Sequence, residues 1–189
     1  MSRSLLEIKP SLRLELGDGA YLRPILEADV TQAYVDGLND PAVNRYLEVR
    51  RQRQTLESVR AYVRANAADP QAILFGIYSG NGLRGTLRLH DADPNSGKAT
   101  IGIALFDRGF SGRGLGSSAI GAVARFAAAE LSLTHLAAGI IDANTASVRA
   151  FEKSGFRRIK DKEPDPDLGP VGLWVLDSSA KAPQGGRGR

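Results

Sequence analysis

The rhythm of apolar and polar positions changes several times along the chain, and each change marks an element. Residues 21–25 read as a short strand behind the turn signal Gly17-Asp18-Gly19. Residues 27–38 read as a helix that stops near Asn39-Asp40-Pro41, and residues 41–47 as a second, short one. Leu56, Val59, Tyr62 and Val63 recur at helical spacing and predict a third helix over 56–68. The unbroken apolar run AILFGIY at 72–78 predicts a buried strand. Ser79-Gly80-Asn81-Gly82 reads as a hairpin turn, and residues 83–90 return as a strand. On that strand Thr86, Arg88 and His90 share one face while Leu87 and Leu89 take the other. A turn at 91–97, rich in Asp, Pro, Asn and Gly, leads to a strand over 98–106.

The second half reads differently. A glycine-rich loop at 109–116 opens a long Ala-rich helix that ends near Leu131. A strand over 136–142, a helix over 144–154 and closing strands over 156–159 and 171–176 follow. A strand joined to the next by a helix this long implies parallel pairing and a right-handed crossover. The expected fold is therefore α/β of the α+β type, with a mixed sheet that is antiparallel first and parallel in its centre. Residues 20–177 are expected to form one domain, behind an N-terminal extension of residues 1–19 whose first nine residues fray. Residues 178–189, made of Ser, Ala, Pro, Gln, Gly and basic residues, bury almost nothing and are expected to be a disordered basic tail.

Composition trims the options. The 189 residues contain no cysteine, which excludes disulfides, cysteine–zinc sites and thiol nucleophiles. The formal charge of +4 sits largely in the tail, at Lys181, Arg187 and Arg189, so the rest is nearly neutral and nucleic acid is not an expected partner. The start of the chain lacks a signal-peptide pattern, and no apolar run reaches the length of a membrane span, so the expectation is a cytoplasmic protein without membrane contact.

The chemistry concentrates in two segments. In Phe110-Ser111-Gly112-Arg113-Gly114-Leu115-Gly116-Ser117-Ser118, alternating glycines stand between a strand and a helix. Without Cβ atoms the backbone N–H groups can curl into one concavity, and the helix N-terminus behind them adds free donors and a positive dipole end. Such a place suits phosphate oxygens, with Ser117 and Arg113 as further donors. The loop lacks the lysine of a Walker motif, and Ser117 stands at the sixth position of the dinucleotide fingerprint, so neither pattern fits. The second segment runs from Asp142 to Phe156. Asn144 suits a helix N-cap there and Gly155 a left-handed helix end.

Together the two segments resemble the GNAT acetyltransferase superfamily, nearest its branch of ribosomal-protein and nucleotide-amino-sugar N-acetyltransferases. Ser111-Gly112-Arg113-Gly114-Leu115-Gly116 aligns with the family's Gln/Arg-x-x-Gly-x-Gly/Ala loop, with Ser111 as the departure. The residues from Asn144 to Phe156 align with its Asn-x-x-Ser-x-x-x-aromatic-x-Lys-x-Gly-Phe segment. The resemblance implies a sheet whose two central parallel strands splay apart, with helices on both faces. It implies acetyl-CoA as cosubstrate and no metal. The diphosphate would lie on the backbone of Ser111, Gly112, Arg113, Gly114, Leu115, Gly116 and Ser117. The thioester would meet a free N–H among Ile103, Ala104 and Leu105, and the coenzyme arm would pass Asn144, Ser147 and Phe151.

The implied reaction is direct attack of a primary amine on the thioester in a ternary complex. The acceptor would be a nucleotide-linked amino sugar or a protein N-terminal amine, and a homodimer is compatible with the reading. The family's frequent acid is a tyrosine at the position of Phe151, which cannot donate, so Ser147 is the candidate acid; its other reading is a helix-capping residue. Glu48 and His90 are the candidate bases, with an ion pair to Arg45 or Arg51 as the alternative for Glu48 and a structural role at a strand end for His90. Ser111 and Phe151 also admit an inactive coenzyme A-binding sensor. The arginines at 45, 50, 51, 53, 60 and 64 form either a solvated face or a pocket for a phosphate-bearing acceptor.

Overall fold

The computed structural model describes residues 4–80, 82–106 and 112–179. Within them the helices are α1 (Leu5–Ile8), α2 (Gln32–Asn39), α3 (Pro41–Asn44), α4 (Leu56–Ala68), α5 (Leu115–Leu131) and α6 (Thr145–Lys153). The strands are β1 (Leu14–Gly17), β2 (Ala20–Pro24), β3 (Ile73–Ser79), β4 (Gly82–Asp93), β5 (Lys98–Leu105), β6 (His135–Ile141), β7 (Arg157–Asp165) and β8 (Gly169–Asp177). They form one sheet in the order β1-β2-β3-β4-β5-β6-β8-β7. Every neighbouring pair is antiparallel except β5–β6, the two strands joined by α5. The mixed sheet expected from the sequence is present, and β8 lies between β6 and β7.

Alternation along the strands divides the apolar side chains between two faces. On one face Leu22, Phe75, Leu87, Leu89 and Ile101 pack with Ile120, Val123 and Phe126 of α5 and with Phe151 of α6. On the other, Leu74 packs with Tyr34, Val35 and Leu38 of α2 and with Val59 and Val63 of α4. Thr86, Arg88 and His90 stand on this second face, because Arg88 is registered opposite Leu74. This smaller core leaves room for a cavity.

Three differences from the sequence reading have physical causes. Residues 5–9, expected to fray, are held: Leu5 and Ile8 are buried, and Lys9 Nζ donates to the carbonyls of Asn66, Ala67 and Asp69 at 2.9, 3.1 and 2.6 Å. These bonds occupy all three ammonium protons and anchor the end of α4. Strand β1 pairs with β2, so part of the N-terminal extension is an edge of the sheet. Strand β4 continues past His90 to Asp93, with a register shift between the two, so His90 is not at a strand end.

Candidate active site

The central strands part. β4 and β5 are registered from Gly85↔Leu105 to His90↔Thr100 without interruption. β5 and β6 are registered only at Lys98↔His135, Ala99↔Leu136 and Thr100↔Ala137. Beyond Thr100 the two parallel strands separate, and among the described residues the β6-facing side of Ile101–Leu105 has no strand to pair with. Amides left unpaired on a strand are donors awaiting an acceptor.

A cavity of about 720 Å³ opens at this cleft. Its floor is the second face of the sheet: Thr86, Arg88 and His90 from β4, Gly102 and Ala104 from β5, Gly139 and Ile141 from β6. Tyr34, Val59 and Tyr62 wall it from α2 and α4, and the turn at Glu48–Arg51 closes one side. Asn144, Ser147 and Phe151 enter from α6.

The cavity therefore gathers Glu48, His90, Ile103, Ala104, Asn144, Ser147 and Phe151 of the residues singled out from sequence. Leu105 and the loop residues Gly112, Arg113, Gly114, Leu115, Gly116 and Ser117 do not line it, and Ser111 lies outside the described residues. The described part of the loop, from Gly112 to Gly116, stands beside the end of β5 instead. Gly112 and Gly114 have φ of 77° and 81°, the left-handed region where glycine is unstrained. Helix α5 starts directly after Gly114. A Cβ on Gly116 would come within 3.4 Å of Leu105 Cδ1 and 3.9 Å of Ala150 Cβ, so the first turn of α5 is wedged between β5 and α6. Free N–H groups of that turn thus stand where an anionic group entering the cleft would pass.

Individual side chains are prepared in different ways. Asn144 caps α6: its Oδ1 accepts from Ser147 N at 3.2 Å. The cap uses the Ser147 amide only, and among the described residues the Ser147 hydroxyl makes no hydrogen bond. Phe151 is 2% exposed and meets Phe156 edge-on at 4.9 Å, so its ring is part of the core as well as of the cavity wall. His90 Nδ1 lies 2.8 Å from Asp91 Oδ2, which orients the ring. His90 is opposite Thr100, three residues before Ile103, or about 10 Å along the strand. Glu48 makes no ion pair among the described residues, so neither Arg45 nor Arg51 neutralises it.

Other lining residues were missed from sequence. Tyr34, held at 4% exposure, has its pKa pushed up to about 12 by burial, against a hydrogen bond with Thr86 that lowers it. It is a neutral hydroxyl at ordinary pH. Tyr62 is raised too, chiefly by burial. The arginine cluster is mostly spoken for. Arg50 Nη2 meets Asp165 at 2.8 and 2.7 Å, and Arg51 reaches the same carboxylate at 3.4 Å. Asp165 also accepts from the N–H groups of Asp167 and Leu168 at 3.0 Å each. Arg64 pairs with Glu27, and Arg45 lies over the Tyr46 ring. Among the described residues no cluster of His, Cys, Asp and Glu is arranged to hold a metal, and no helix is long and apolar enough to cross a membrane.

A family model for the acetyltransferase (GNAT) domain matches residues 20–157. The chain belongs to the GNAT acetyltransferase family. No protein of curated function matches it in sequence. Solved GNAT structures match it in fold. The ribosomal L7/L12 α-N-protein acetyltransferase RimL, in complex with coenzyme A, is 20% identical with a TM-score of 0.78, over 88% of this chain and 98% of that one. A Salmonella typhimurium acetyltransferase that modifies the N-terminal serine of L7/L12 is 20% identical with a TM-score of 0.76, over 88% and 99%. AAC(6')-Ib, in complex with paromomycin and acetyl-CoA, is 20% identical with a TM-score of 0.73, over 90% and 100%. The parted β5 and β6 of this GNAT chain are the splayed centre expected from the resemblance.

Proposed function

We propose that the chain transfers an acetyl group from acetyl-CoA to a primary amine, within a transferase domain of residues 20–177. The observation that carries this reading is the cleft between β5 and β6, which opens into the cavity while its far end meets the N-terminus of α5. In this reading the diphosphate rests on the backbone of the loop 111–117, where Gly112 and Gly114 take up left-handed φ. The pantetheine arm runs along the free edge of β5 past Asn144, in a fold whose solved relatives include complexes with acetyl-CoA and coenzyme A. An amide of Ile103, Ala104 or Leu105 polarises the thioester carbonyl.

The amine nitrogen then attacks the carbonyl carbon, the C–S bond breaks as the tetrahedral intermediate collapses, and the thiolate takes up a proton. Glu48 removes the ammonium proton, since its carboxylate lines the cavity without a counter-ion. His90, too far from Ile103 for direct transfer, moves protons to solvent through water. Ser147 relays to the thiolate the second proton, the one the nitrogen sheds as the intermediate collapses to the amide, through a hydroxyl that the cap leaves unused. Acceptors of the kinds that the resemblance implies, a nucleotide-linked amino sugar or a protein N-terminal amine, are the first to test.

Free-thiol release from acetyl-CoA with nucleotide amino sugars, N-terminal peptides and polyamines tests the reading. Turnover with at least one class is expected, and Glu48→Gln should lower kcat by about 100-fold or more. Stabilisation by acetyl-CoA with no turnover across the three classes would reduce the chain to a coenzyme-binding protein.

A further inference from the structure

The cations around the cavity fall into two kinds. Arg50, which lines the cavity, is neutralised by Asp165, as described, and Arg51 and Arg64 have carboxylate partners. Arg88 differs. Among the described residues it forms no ion pair. Its Nε donates at 2.7 Å to Oδ1 of Asn66, a neutral acceptor. Asn66 is 4% exposed and fixed at both ends: Nδ2 donates to the Tyr62 carbonyl at 2.8 Å, and its own carbonyl accepts from Lys9. A fixed amide that occupies Nε leaves both terminal nitrogens and the whole charge of the guanidinium for something else. The Tyr62 ring, 5.8 Å from Arg88 Cζ, backs it from one side.

The ground beside Arg88 is bare. Gly102 is registered opposite it, and a Cβ there would meet nothing within 4 Å. Gly139 faces the same cavity from β6, and Lys162 Nζ lies 3.4 Å from where a Gly139 Cβ would stand. Lys162 also forms no ion pair among the described residues. Two uncompensated cations therefore flank a glycine floor where β5 and β6 part, and the carboxylate of Glu48 is the sole uncompensated acid among the described lining residues. A partly buried guanidinium is stabilised by an anion, and its planar fork matches a carboxylate or a phosphate.

We propose that Arg88 is the acceptor's anion subsite: the amine to be acetylated also carries a carboxylate or phosphate, seated on the Arg88 guanidinium over Gly102. This rests on the N-acetyltransferase reading and narrows its acceptor. Gly102 directly precedes Ile103, a rise of about 3.3 Å, so the acid group and the amine stand only a few bonds apart. An amino acid or an amino-sugar phosphate meets that description, and a polyamine does not. Lys162 assists from the rim.

Matched acceptors that differ only in the acid group test this with the whole chain: serine against serine amide, and glucosamine 1-phosphate against glucosamine. Wild type should favour the acid-bearing member by about 10- to 100-fold in kcat/KM, and which pair shows the larger ratio tells carboxylate from phosphate. Arg88→Gln should bring the ratio toward one, Arg88→Lys should recover part of it, and Lys162→Gln should lower it less. Thermal unfolding of each variant confirms that it folds. Equal preference for both members, or a polyamine outrunning them, would overturn the subsite. If no acceptor is turned over, calorimetry of the same pairs on coenzyme A-saturated protein keeps the question apart from activity. Tighter binding of the acid-bearing member that is lost in Arg88→Gln supports the subsite even as the catalytic reading fails. Indifference there ends the proposal.

Discussion

The two flanks of β5 are built to opposite ends. Toward β4 the strand is registered along nearly its whole length, and side chains behind the seam are fully buried. Toward β6 it is registered at three positions and then released. Glycines mark the contrast. On the closed flank a Cβ at Gly85 would stand 2.4 Å from the Ala104 carbonyl oxygen and 2.7 Å from Leu105 Cδ2. At Gly102, past the point where β6 leaves β5, it would meet nothing. The closed flank holds the fold by filling space, while the open flank withholds contacts and, in the proposed function, leaves that space to a ligand, so mutations on the two should separate stability from activity.

The largest effect is expected on the closed flank. Leu87 is 0% exposed, and Leu87→Ala should cost about 2–5 kcal/mol of stability by denaturant unfolding, because transfer and cavity costs add. Thiol release per folded molecule should survive, since Leu87 points away from the cavity. The open flank should answer in reverse. Gly102→Val has room for its side chain, so stability should change by no more than about 0.5 kcal/mol. The branched side chain would occupy the bare ground beside Arg88, and kcat/KM should fall by about 100-fold through displaced substrate. A Gly102→Val protein that unfolds early yet turns over normally would erase the distinction between the flanks.

How far the sequence reveals this depends on where each signal lies. Helical spacing at Leu56, Val59 and Val63 gives the bounds of α4, and the glycine loop and Asn144 cap are local patterns that mark α5 and α6. The face shared by Thr86, Arg88 and His90 follows from strand alternation alone. Strand β7 carries no such signal: nearly every residue from Arg157 to Asp165 is exposed, so no apolar rhythm betrays its length. The pairing of Arg50 with Asp165 joins positions 115 residues apart, beyond any local pattern. Tyr34 reads as an ordinary apolar position of α2 until the fold puts its ring beside Thr86 and Phe106. In the candidate site, the residues proposed for the coenzyme belong to local motifs, whereas the remaining cavity walls arise from long-range packing.

A smaller test concerns the rim. Hydrogen bonds from Arg50 hold the Asp165 carboxyl below the usual carboxylate range, against a smaller opposing effect of burial. A carboxyl depressed in the folded state adds stability above its unfolded pKa, and that stability is lost as pH falls through the depressed value. Asp165→Asn should therefore lower Tm at neutral pH. The gap to wild type should close in acid, once the wild-type carboxyl is protonated too. Because the pair ties the Glu48–Arg51 turn to the start of the β7–β8 turn, KM for the acceptor should rise more than kcat falls.

The smallest effect bears on a residue that belongs to both sides of the comparison. Asn144 holds a helix end through Ser147 N, and it also lines the cleft. If capping is its whole role, Asn144→Ala should cost about 1 kcal/mol of stability and Asn144→Asp, which keeps the accepting oxygen, should cost almost nothing. A coenzyme contact predicts a different pattern. Asp retains the cap but loses the amide donor and adds a negative charge near an anionic ligand, so Asn144→Asp should keep Tm while weakening coenzyme A binding in calorimetry. Asn144→Ser, capped but uncharged, should fall between the two. Coenzyme affinity that tracks Tm across the three variants would assign Asn144 to the fold alone; affinity that falls where Tm holds would assign it to the open flank as well.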